Sequence, residues 1–187
     1  MKKYFAIIWV AAAAVSFTAC QKEDDQPEPT PVTSLYSRVG GTTMVDDPAN
    51  PGTMIEQGRL TLRSVVDSSI FVIAADPAMT PFFGALLAEV GAGDLSGLTI
   101  LSKNFTDFLC TATGATNPDY QYGGLSMVDA HNPDTNDRMS MKAGDADFDQ
   151  FIADIAIGLS QNGVTDAELI NDLVELLETT RGDIVQM

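Results

Sequence analysis

The sequence predicts an all-α fold, and three observations predict it. Four segments carry apolar residues at three- and four-residue spacing, strand-like alternation is scarce, and the linking loops are rich in Gly, Pro, Asn and Asp. Residues 34–187 are long enough for one domain with its own core, and no internal repeat divides them.

The chain opens on a targeting segment. In MKKYFAIIWVAAAAVSFTAC, Lys2 and Lys3 precede an apolar run from Tyr4 to Val15, then small residues up to Cys20. That run falls short of the roughly 20 apolar residues of a membrane span and has the layout of a secretory signal. The ending FTAC resembles a bacterial lipobox, with Phe17 where leucine is usual. The resemblance implies that residues 1–19 are a lipoprotein signal peptide and that Cys20 is lipidated, anchoring the chain to the outer membrane. A plain signal peptide with an ordinary cysteine is the alternative.

Residues 20–33 are acidic and proline-rich, with almost nothing apolar to bury, which predicts an extended, disordered tether. Its start, QKEDD, resembles the short acidic export signal of some surface-exposed Gram-negative lipoproteins; a generic solvated linker is the alternative. Ten basic residues face 26 acidic ones, a net charge of −16. Removing Lys2 and Lys3 leaves eight against 26, or −18. Such a surface repels nucleic acid and anionic lipid, so membrane contact is expected only through the anchor. With Cys20 lipidated, Cys110 has no disulfide partner, and a lone thiol is more often a small buried apolar group than a reactive one.

Four amphipathic helices follow. In LTLRSVVDSSIFVIAADP, Leu62, Val66, Ile70 and Ile73 share a face that ends at Asp76-Pro77. LTILSKNFTDFLCTATG stacks Leu98, Leu101, Phe105 and Phe108 on one stripe and closes at Gly114. DFDQFIADIAIGLSQNGV sets Phe148, Phe151, Ile152, Ile155 and Leu159 on one side and stops at Asn162-Gly163, a glycine-type C-cap. TDAELINDLVELLETTRGDIVQ begins with Thr165 and Glu168 as a capping box, then aligns Leu169, Leu173, Leu176 and Leu177.

Several chemistries are excluded by what is missing. NPDTND and DADFD start like calcium loops, but the sixth position is Asp137 or Gln150 instead of glycine, and the twelfth is Ala143 or Ala156 instead of glutamate. VGGTT and GAGDLSG lack the lysine-serine ending of a phosphate loop. His131 is the only histidine, which leaves no zinc cluster and no convincing nucleophile-base pair for a hydrolase.

The ordered set of these segments resembles the truncated haemoglobins. SLYSRVGG (Ser34 to Gly41) is similar to their first short helix with its glycine pair, and VVDSSIFVIAADPAMTPFF (Val65 to Phe83) to the next helix and its double phenylalanine. DFLCTATGA followed by YGGLSMVDAH resembles the stretch from the distal helix to the proximal histidine, with Tyr122, Gly124 and Met127 upstream of His131. NGVTDAELI sits at the junction of the last two helices. The likeness covers nearly all of Ser34 to Gln186 and fits the group I form. It implies a short, 2-on-2 globin fold with loop insertions after Gly41, Phe83 and His131.

What the resemblance implies chemically is a haem b protein with His131 as the iron ligand. Haem iron needs one strong axial donor in an apolar slot, and His131 is the only imidazole on offer. Phe83, Leu101, Phe105, Phe108, Ile70, Tyr122 and Met127 are the cofactor-lining candidates. On the gas side, Ile70 stands where the family has tyrosine, Phe105 where it often has glutamine, and Leu101 completes an apolar set. A charge-assisted hydrogen bond to bound oxygen contributes about 1.5–3 kcal/mol. Its loss weakens oxygen on the order of ten- to a hundredfold. Lys103 and Asn104 are placed either at a haem propionate or on the solvated surface.

The functional expectation is binding of a diatomic gas at haem iron, with nitric oxide or carbon monoxide favoured over oxygen. Nitric oxide dioxygenation is known in the family but needs held oxygen and a reductant, so an enzymatic role is left open. Two other classes stand beside it: a cell-surface module for haem capture or storage, and a degenerate globin that acts as an interaction domain.

Overall fold

The computed structural model describes residues 33–187, which form one compact unit. The signal segment 1–19, Cys20 and residues 21–32 of the tether lie outside the described residues. The all-α expectation holds in outline. Eight α-helices account for most of the described chain: α1 (Leu35–Arg38), α2 (Gln57–Ala75), α3 (Gly84–Gly91), α4 (Ser96–Thr113), α5 (Met127–Ala130), α6 (Asp145–Gln161), α7 (Ala167–Glu178) and α8 (Arg181–Ile184).

The glycine pair does what the sequence suggests. Gly40 and Gly41 take φ of +121° and +58°, a left-handed turn that L side chains resist, and a Cβ on Gly40 would meet Gln57 Cγ at 2.4 Å. The insertion after Gly41 departs from the strand-free expectation. It is a small antiparallel hairpin of β1 (Met44–Asp46) and β2 (Met54–Glu56), with Val45 opposite Ile55. Arg63 on α2 braces its tip, donating to Asp47 Oδ1 at 2.6 Å and holding that carboxyl well below the usual range.

Helix α2 is the spine, packing against both α4 and α6. Its predicted face is buried at Leu62, Val66, Ile70 and Ile73, and the helix stops at Asp76 as the Asp-Pro signal requires. The crossing with α6 is close because Gly158 presents no side chain to Ser69. Leu62, Val66, Leu109, Ile155, Leu159 and Leu173 join α2, α4, α6 and α7 in one core.

Three local expectations need correction. The cap of α7 is Asp166, whose carboxylate accepts from Leu169 N at 2.7 Å, and not the Thr165–Glu168 box; Leu176 is only half-buried beside Leu169, Leu173 and Leu177. DADFD is not a loop but the first turn of α6, where Asp147 accepts from Gly144 N at 2.9 Å. The stripe of α4 is also only half-buried. The fully buried side of that helix is Thr106, Asp107, Leu109, Cys110 and Thr113. A carboxylate can sit there because Asp107 is paired with Arg59 at 2.8 Å and Lys103 at 2.5 Å. Cys110 beside it is fully buried, and burial pushes its thiol up to about 11.

Candidate functional site

His131 closes α5, a helix of four residues. A single turn cannot sustain itself, because nucleation fixes several dihedrals for one hydrogen bond. Side chains supply what propagation does not. Ser126 Oγ accepts from Asp129 N at 3.1 Å at the N-terminus. All four α5 carbonyls then accept from side chains: Met127 O from His131 Nδ1 at 2.8 Å, Val128 O from Gln186 Nε2 at 2.8 Å, Asp129 O from Thr135 Oγ1 at 2.9 Å, and Ala130 O from Asn136 Nδ2 at 2.7 Å. Thr135 and Asn136 come from the insertion after His131, and Gln186 from the C-terminus.

The bond to Met127 settles the histidine's chemistry. A carbonyl oxygen only accepts, so Nδ1 carries the proton and Nε2 keeps its lone pair in the neutral ring. Nε2 has no hydrogen-bond partner among the described residues. Burial lowers the imidazole pKa from its ordinary value, and the bond to Met127 only partly opposes that shift. The ring is therefore neutral at pH 7, with one nitrogen oriented and the other free to bind a metal ion.

The insertion that holds α5 is itself clamped. Arg138 Nη1 pairs with Glu89 Oε2 on α3 at 2.6 Å, and Ser140 N donates to Phe82 O at 3.4 Å. Gly97 in the first turn of α4 makes room, since a Cβ there would fall 2.1 Å from both paired atoms. The insertions after Phe83 and after His131 thus brace each other.

Tyr122 links α4 to the turn that precedes α5. Its N–H donates to Thr111 Oγ1 at 2.8 Å, its hydroxyl donates to Leu125 O at 2.6 Å, and its ring meets Phe108 edge-on at 6.0 Å. Gly124 lies under that ring, where a Cβ would come within 2.6 Å of the phenol oxygen.

The sequence candidates fall into two groups. Ile70 is buried in the apolar cluster, and Phe83, Leu101, Phe105 and Phe108 are half-buried against it. Met127 and His131, half-buried on α5, are not members of that cluster; Tyr122, half-buried too, touches it through Phe108. Phe151 on α6, unassigned to the site by sequence, stacks toward Phe105 at 6.1 Å and extends the aromatic row to α6. Asn136 and Gln186 were also missed, and no local pattern marks them.

Lys103 is turned elsewhere. It pairs with Asp107 and borders a hollow of about 600 Å³ between α2 and α4, lined also by Arg59, Arg63 and Leu98. Of the cofactor candidates only Ile70 reaches that hollow. Lys103 is thus an exposed side chain on the rim of that hollow, paired with Asp107.

The helix order and the α2 crossings, with a lone oriented histidine on a short helix, define an all-α, globin-like domain. Over 84 residues the chain is 34% identical to a Group 1 truncated hemoglobin from Tetrahymena pyriformis. The matched stretch is 45% of this chain and spans only 60% of that relative. The crystal structure of truncated hemoglobin from Tetrahymena pyriformis in its Fe(III) form has a TM-score of 0.57 at 24% identity, covering 83% of this chain and 100% of that one. A point mutant of the same protein, also in the Fe(III) form, gives the same values. No family model matches the chain. The fold is the truncated-globin fold, as the sequence resemblance implied.

Proposed function

We propose that this domain binds haem b through His131 and takes a diatomic gas. The observation that carries the reading is the His131 ring, with Nδ1–H held by Met127 O and a neutral Nε2 left unpartnered. Neutral imidazole is the donor haem iron takes, and a hydrogen bond at the far nitrogen fixes its tautomer and raises its basicity. Phe83, Leu101, Phe105 and Phe108 present half-buried apolar surface that packs on the core from one side and leaves area for a flat hydrophobic ligand. These residues fit the group.

When bound, haem supplies an iron centre that takes a small gas molecule. The chain's own contribution on the gas side is apolar at Ile70, Leu101 and Phe105. A ligand that relies on a hydrogen-bond donor for retention, as oxygen does, loses about ten- to a hundredfold in affinity in such a setting. Nitric oxide and carbon monoxide are the favoured ligands. The signal-like segment and the FTAC ending support export and lipid anchoring at Cys20.

The test is titration of the full chain with haemin, followed by absorbance. The parent should develop a Soret band of saturable intensity, His131→Ala should lose tight binding, and added imidazole should recover part of the spectrum. Equal affinity and equal spectra for parent and His131→Ala would show that His131 is not the ligand. For the anchor, Cys20→Ala should fail to incorporate radiolabelled lipid in cells; labelling equal to the parent defeats that part of the reading.

A further inference from the structure

Asp154 is a buried carboxylate that the gas-binding site does not use. It lies on the inner side of α6, 2% exposed, and its Oδ2 has no hydrogen-bond partner among the described residues. Its one donor is Gln150 Nε2 from the same helix, at 3.2 Å to Oδ1. Buried polar atoms are ordinarily paired, so an orphan kept against stability calls for a partner that arrives from outside. Burial pushes this carboxyl above its ordinary range, and the nearby charge of Asp76 pushes the same way.

The surroundings say what that partner is. Asp154 lines a hollow of about 440 Å³ together with Asp76, Gln161, Phe71, Val72 and Ile157. The hollow opens at the C-terminal end of α2, which carries no basic residue in its last turn. The negative end of the helix dipole therefore adds to the two carboxylates. Among the described residues no ion pair reaches Asp76 or Asp154. On the outer rim Phe71 is 70% exposed and Ile157 is 47% exposed. Two carboxylates and one amide fall short of the oxygen count that calcium takes, roughly six to eight, and apolar walls do not suit a hydrated metal ion.

We propose that this hollow binds an organic cation, a guanidinium or alkylammonium group seated between Asp76 and Asp154 with its hydrocarbon part on Phe71 and Ile157. The charge meets a carboxylate oxygen that nothing else neutralises. The exposed aromatic face of Phe71 adds a cation–π contact.

The test titrates the full chain with n-butylguanidinium and, in a parallel arm, with acetyl-Gly-Arg-Gly-amide. Heat of binding and the Asp154 carboxyl carbon shift are the readouts, with n-butanol as the neutral control. Saturable binding that weakens about ten- to a hundredfold in Asp154→Asn, and also in Asp76→Asn, is the expected result. Binding of both probes points to an arginine presented by a partner; binding of n-butylguanidinium alone points to a free small cation. Asp154→Asn should melt no lower than the parent, because it removes an unpaired buried charge, so loss of binding there is not loss of fold. Binding unchanged in Asp154→Asn, equal heat from n-butanol, or no saturation with either probe overturns the proposal.

Discussion

Replacing Gly158 with alanine puts the α2–α6 crossing to a quantitative test. A Cβ at Gly158 would stand 2.0 Å from Ser69 Oγ, 3.1 Å from Ser69 Cβ and 3.1 Å from the Ser69 backbone nitrogen. In an open helix interior the same change stabilises by about 1 kcal/mol, through backbone entropy. Here Ser69 is fully buried, so the serine has no free volume to retreat into and the backbone of α2 has to give. Overpacking of this kind costs about 1–3 kcal/mol. Propensity offsets part of that, leaving a net loss of up to about 2 kcal/mol, or roughly 2–4 °C in Tm per kcal/mol for a domain of this size. Ser69→Ala should act the other way alone, by about 1 kcal/mol, because Ser69 Oγ is a buried hydroxyl without a partner. In the double variant the 2.0 Å contact is gone, so the two changes should couple favourably by about 0.5–3 kcal/mol. Thermal and urea unfolding of the four proteins by circular dichroism complete the cycle. A Gly158→Ala protein that melts above the parent, or a strictly additive cycle, would refute the claim that the helices touch at this glycine. The outcome bears on the gas side proposed above, since Ile70 follows Ser69 on α2.

Asn136→Ala removes the donor to Ala130 O and should cost about 0.5–1.5 kcal/mol. It should also lower haemin affinity while leaving the far-ultraviolet spectrum intact; unchanged affinity would show that the loop does not hold α5. The imidazole of His131 should titrate below its ordinary value of 6.5 when followed by NMR. Because the unfolded chain takes up that proton first, stability is full above pH ~6.5 and declines as the pH falls toward the folded midpoint. A midpoint at or above the ordinary value would contradict the burial argument. Cys110, with its thiol raised to about 11 and no exposed surface, should react with a disulfide reagent only at the rate of unfolding. Rapid labelling in native buffer would show the site to be open.

Long helices were legible because their faces are apolar at a fixed period: α2, α6 and α7 follow from Leu62–Ile73, Phe148–Leu159 and Leu169–Leu177. The hairpin was not, since strands of three residues are too short for alternation to register. The stripe of α4 was read correctly as apolar but not as half-buried. The opposite side of that helix looks polar in sequence, and only the pairing of Asp107 with Arg59 and Lys103 makes it core. His131 could be singled out as the one imidazole, whereas its support could not. Gln186 reaches Val128 from 58 residues away, and nothing near either residue announces the meeting. Asp154 hides for the opposite reason: within DADFDQFIADIA it reads as one more solvated acid.

The four borrowed donors on α5 also fix when that helix exists. Residues Met127–Ala130 gain their full set of partners only late, because Gln186 must be delivered by α6, α7 and α8 and the Thr135–Asn136 turn must close. The histidine-bearing turn should therefore complete its ordering late and open readily. Its amides should exchange with solvent by small local openings, at free energies well below that of the α2–α6 core. A cofactor that gripped His131 would convert a weakly supported segment into one that reports on the stability of the whole domain.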